Sequence, residues 1–178
     1  MQALAIFDRH AVERFHHSSE ELALACASHH GEEVHTSRVG GFLQRMGLSE
    51  ATLECGAHQP TNGAAREALR ERHEEPSALH NNCSGKHAGM LSVALAMGVP
   101  TEGYVSREHD VQRAVRAAVE LVIGEELTED RCGTDGCSIP TWAAPIRAWA
   151  HGFAKMATGK GLDAGNAAGA QALFDAAT

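Results

Sequence analysis

Valines at 111, 115, 119 and 122 recur at the spacing of one helix face, and the same period organises most of the apolar residues of the chain. Val39, Phe42, Leu43 and Met46 form a stripe along residues 32–46, with Gly47 just past the expected helix end. Met90, Leu91, Ala94 and Leu95 mark a buried helix over about 84–97, and Trp142, Ile146, Trp149 and Phe153 mark another after Pro140. Ser18-Ser19-Glu20-Glu21 ahead of Leu22-Ala23-Leu24-Ala25 predicts a capped helix start, which Gly31 is expected to close. Residues 64–74 read as an exposed charged helix, and 56–63 as a loop. Strand candidates are confined to Glu54-Cys55 and residues 130–133, and the stretch 159–178 is small and polar with no evident cap. Such a pattern fits a helical protein, or the helical part of an α/β domain whose sheet is supplied elsewhere.

A chain of 178 residues can bury a core of its own, and with no repeat or linker it reads as one unit, 1–178. Twenty-three acidic residues against 15 basic ones give a net charge of -8, which repels phosphate backbones and argues against nucleic-acid binding. The longest mainly apolar run, 88–99, is too short to span a bilayer, and residues 1–8 lack the pattern of a secretory signal. Cysteines 26, 55, 83, 132 and 137 are odd in number, so reduced thiols or thiolate ligands in a cytoplasmic setting are expected rather than a disulfide framework.

Three segments carry chemistry. In His80-Asn81-Asn82-Cys83-Ser84-Gly85-Lys86-His87, a helix start and Lys86 would both favour a thiolate at Cys83. The Gly85-Lys86 pair resembles a phosphate loop, but position 80 is His where that loop needs Gly, and position 87 is His where it needs Ser or Thr. In Asp135-Gly136-Cys137, a thiol and a carboxylate could join Cys83 as zinc-type ligands, though the spacing is not that of a zinc finger. In Ala27-Ser28-His29-His30-Gly31-Glu32, Ser28 lies at a helix break and could be a nucleophile, while the two histidines read as solvated surface residues. No serine in the chain is followed by lysine three residues on.

Together, the Ala27–Glu32, Leu79–Leu91 and Asp135–Thr141 blocks resemble the asparaginase II family, the Rhizobium-type, thermolabile class of bacterial L-asparaginases. The resemblance is strongest over 1–155. It implies an α/β fold similar to the serine β-lactamases, here incomplete and with mostly its helical part present. It also implies hydrolysis of L-asparagine to aspartate and ammonia, with Ser28 catalytic, Cys83, Lys86 and Cys137 holding zinc, and Asp135, Ser84 and His87 beside the metal or substrate. Family members carry a Ser-x-x-Lys block ahead of the first matching residues and a second lysine beyond the last. The chain therefore reads as truncated at both ends, with impaired hydrolysis. The alternative is a non-catalytic zinc- or amino-acid-binding module. The expected partner is a small molecule, with neither nucleic acid nor membrane involved, and a homodimer is one assembly open to the chain.

Overall fold

Ten of the fourteen residues of the helix Ser84–Met97 are buried, and they lie on every face of it. A helix apolar all round belongs at the centre of a helical assembly, and that is its place in the computed structural model, which describes residues 1–178. The α-helices are α1 (Leu4–Asp8), α2 (Ala11–Phe15), α3 (Ser19–Cys26), α4 (Glu33–Arg45), α5 (Gly63–Glu71), α6 (Ser84–Met97), α7 (Asp110–Ile123), α8 (Ile146–Thr158) and α9 (Ala164–Ala177). Around α6 pack α1, α2, α3, α4 and α7. Strands β1 (Cys132–Thr134) and β2 (Pro140–Trp142) pair antiparallel, with Cys132 opposite Trp142.

The expected incomplete α/β, β-lactamase-like fold is therefore corrected: the protein is helical apart from one two-stranded hairpin. Apolar residues recur every three or four positions, and no run alternates long enough to bury one face of a sheet. Glu54-Cys55 forms no strand, and α6 is surrounded by other helices rather than by a sheet. No helix is long and apolar enough to cross a membrane.

The α3 start follows its sequence. Ser18 Oγ accepts from the Glu21 amide at 3.3 Å, while Glu21 Oε2 accepts from the Ser18 amide at 2.9 Å. The helix stops at Cys26 rather than at Gly31, leaving residues 27–31 outside any helix or strand. Helix α9 escaped the apolar pattern because its buried face has two small residues, Gly169 and Ala170, beside a single large one, Leu173. Asp163 caps it by accepting from the Asn166 amide, and a Cβ on Gly169 would lie 2.9 Å from the Phe7 ring.

Candidate active site

Cys83 and Lys86 enter the site from the first turn of α6, and Asp135 and Cys137 from the loop of the β1–β2 hairpin. Asn81 sets the turn. Its Nδ2 donates to Cys55 O at 2.8 Å and Gly56 O at 3.1 Å, and its Oδ1 accepts from the Cys83 amide at 2.9 Å. The hairpin loop is closed by Asp135 N–H donating to Ile139 O and Ser138 N–H donating to Asp135 O. Closing it leaves Ser138 at φ 74°, a left-handed conformation costly for a residue with a Cβ.

These two turns bring Cys83 Sγ, Cys137 Sγ and an Asp135 carboxylate oxygen within 4.8 Å of one another. Lys86 Nζ lies 3.7 Å from Asp135 Oδ2, and the Cys137 thiol donates to the same oxygen at 3.1 Å. The two thiols diverge in acidity. A hydrogen bond from Cys137 outweighs burial and, with the charge of Lys86, brings Cys83 down to about 6. Cys137 is pushed up to about 12, first by its bond to Cys83, then by burial and Asp135. Burial opposes the charge on Lys86, but Cys83, Cys137 and Asp135 more than offset it and its pKa is raised. The site thus pairs an acidified thiol, Cys83, with a less acidic one, Cys137, beside the amine of Lys86 and the carboxylate of Asp135.

Helix-start amides contribute less to that thiolate than expected, because Asn81 takes the amides of both Cys83 and Ser84. Cys83 is accordingly expected to react with iodoacetamide at pH 7 well ahead of Cys55, whose thiol burial pushes up to about 11. The folded pKa of Cys83 is depressed, so its contribution to stability is present above the unfolded thiol value and lost as pH falls through about 6. Alkylation rate against pH, followed residue by residue, checks the midpoint; a midpoint near that of a free thiol would contradict the pairing.

Ser84 and His87, expected beside the metal or substrate, are both buried; Ser84 is bonded away from the cluster, whereas His87 hydrogen-bonds Cys137 and works against the rise in its pKa. Ser84 Oγ donates to Leu79 O at 3.0 Å and sits 2.8 Å from His29 Nε2. His87 Nδ1 lies 2.6 Å from the hydroxyl of Tyr104, which also accepts from the Glu54 amide at 3.0 Å. Ser28 is exposed, in the segment after α3. The main chain of that segment is tied to the cluster turn: His29 N–H donates to Asn82 O at 3.1 Å.

His29 itself overturns the surface reading. It is 4% exposed, and only its neighbour His30 stands in solvent. Its sequence signal was Gly31, whose φ of +74° folds the chain back so that the Gly31 amide meets the ring. Asn81 and Tyr104 were also missed; an Asn two residues before a helix cap is the common mark of such a turn.

Gly31 walls an open polar groove of about 730 Å³ together with Glu32, Glu33, Asn62, Arg72 and His80, and Ser28 is not among its lining residues. Lys86 reaches a second hollow of about 270 Å³, lined by Cys26, Trp142, Trp149 and Phe153. A family model described as L-asparaginase II matches residues 1–178. The matched span runs across the whole chain, which corrects the reading of it as a truncated member of the family. No curated protein matches the chain.

Proposed function

The chain belongs to the L-asparaginase II family, and from that membership and the geometry of the Cys83 turn we propose that it is an amidohydrolase acting on L-asparagine. One observation carries the reading: the segment holding Ser28 is hydrogen-bonded to the turn that holds Cys83 and Lys86, which supports assigning the serine and the cluster to one site.

In this reading Ser28 Oγ attacks the side-chain carboxamide carbon, and collapse of the tetrahedral species breaks the C–N bond. The amine takes up a proton and leaves as ammonia, and water then cleaves the seryl ester to aspartate. Cys83, Cys137 and Asp135 suit a zinc ion, because two sulfurs and a carboxylate are converged already and the more acidic thiol is half-way to a ligand. Lys86 can complete the set only by releasing its proton, which becomes easier once the surrounding negative charge is bound to metal. An ion held there supplies Lewis-acid polarisation of an oxygen. All five thiols are free, which supports a reducing, cytoplasmic setting.

Turnover is expected to be slow. His29, next to Ser28, has both ring nitrogens committed elsewhere, and Lys86 is an ammonium held among anions. Ser28 therefore has neither of these groups ready to take its proton. The same observation favours a second reading, a module that binds zinc or an amino acid without hydrolysis. Ammonia and aspartate should be measured together on the purified chain and on Ser28→Ala. Slow equimolar release that disappears in the variant is the expected result. Tight binding of asparagine or zinc with no release in either protein would move the assignment to the binding module.

A further inference from the structure

The imidazole of His29 joins three segments, and its hydrogen bonds have only one possible direction. A main-chain amide can only donate, so the Gly31 N–H at 3.1 Å makes Nδ1 an acceptor. A main-chain carbonyl can only accept, so Ser84 gives its hydroxyl proton to Leu79 O at 3.0 Å. Between these fixed ends, the 2.8 Å contact of His29 Nε2 with Ser84 Oγ must be a donation from the ring to the hydroxyl. The ring is therefore neutral, with its proton on Nε2. A protonated ring would aim a second N–H at the Gly31 amide. Burial, followed by the neighbouring His35, His30 and His80, lowers the pKa of His29 to about 4, in keeping with that state.

We propose that His29 is a positioning residue, locked as the Nε2–H tautomer between Gly31 and Ser84, and that this lock holds Ser28 in register with the turn carrying Cys83 and Lys86. The proposal rests on the Ser28 reading above and adds to it what fixes the serine in place. The side-chain bond to Ser84 and the main-chain bond to Asn82 O straddle Cys83 in sequence, so the segment is gripped on both sides of that residue. The ring is held face-on by His35, with centroids 5.0 Å apart at 24°. Gly31 cannot move off the ring easily, because a Cβ there would already meet Pro60 Cα at 3.0 Å and His80 O at 3.1 Å. Both ring nitrogens are used, so His29 is not the base for Ser28. A misplacement of about 1 Å at a reacting group costs about a hundredfold in rate, which is the scale on which such a lock matters.

The test uses the full chain and two readouts that need no turnover. In 15N spectra at pH 7, His29 should show a protonated Nε2 and an unprotonated Nδ1. Hydrogen exchange at the His29 amide should rise by about tenfold or more in His29→Ala, while exchange in the α7 core stays unchanged. His29→Gln keeps a donor near Ser84 and His29→Asn keeps an acceptor near Gly31, so each should restore part of the protection. Where ammonia release is measurable, His29→Ala should lower kcat by about 10–100-fold with a smaller change in KM, and His29→Gln should recover part of it. A proton on Nδ1, or unchanged exchange at the His29 amide in the alanine variant, overturns the lock. Loss of turnover in Ser28→Ala together with full kcat in His29→Ala overturns its positioning role. Turnover that survives Ser28→Ala defeats the nucleophile assignment, and the positioning role with it, whatever the spectra show.

Discussion

Replacing either Cys83 or Cys137 with alanine is expected to weaken zinc binding by more than about a hundredfold, since the loss of a group that merely supports a metal ligand already costs about 10–100-fold. Only three thiol or carboxylate ligand atoms converge here, and Asp135 is exposed, so no single remaining sulfur can hold the ion tightly. The two variants should differ in the metal-free state. Without Cys137, Cys83 loses the hydrogen bond that chiefly depresses its pKa, and its alkylation at pH 7 should slow. Without Cys83, Cys137 loses the partner that chiefly raises its own pKa, and it should react faster. Competition against a chromophoric chelator measures the affinity. Zinc should raise the melting temperature of the parent chain and of neither variant, because a ligand stabilises only the state that binds it. Unchanged zinc stoichiometry in Cys137→Ala would remove the cluster from consideration as a metal site.

That cluster could be located in the sequence because its members sit in short turns whose chemistry is local: a Gly-containing helix start at 83–87 and a Gly-containing hairpin loop at 135–137. Helices α4, α6 and α7 were equally legible, since each carries apolar residues at helical spacing and a glycine just beyond its last turn. What failed depended on partners distant in sequence. His29 looks like one of a solvated pair until Ser84, 55 residues on, supplies its acceptor. Helix α9 shows no apolar stripe, because its contacts with α1 run through Gly169 and other small residues that let the backbones approach. The sheet was overestimated for a different reason: it was inferred from the resemblance, whereas the residues at 54–55 carry no alternating pattern that could bury one face.

The largest destabilisation by a single methyl group is expected at Gly85. A Cβ there would lie 2.6 Å from Leu24 Cβ, 2.6 Å from Leu24 O and 2.8 Å from Leu24 C. Two of those three atoms are backbone, so no change of rotamer relieves the contact, and α3 must move away from α6. The movement is resisted at both ends of the segment: Arg45 of α4 donates to the Glu21 carboxylate near the start of α3, and His29 binds its extension to Asn82 and Ser84. Overpacking usually costs about 1–3 kcal/mol, and a backbone contact anchored at both ends belongs at or above the upper limit. At about 2–4 °C per kcal/mol for a chain of this size, Gly85→Ala should lower the melting temperature by roughly 6–12 °C. Gly136→Ala is the control, since nothing lies within 4 Å of the added carbon, and it should fall within about ±0.5 kcal/mol of the parent. Urea midpoints measure both. A cost below about 1 kcal/mol at Gly85 would show that α3 separates from α6 freely, and the register between Ser28 and Cys83 would then need another source than this helix contact. A full cost would instead tie the stability of the fold to the close approach of α3 and α6 at Leu24 and Gly85, next to the segment that carries Ser28.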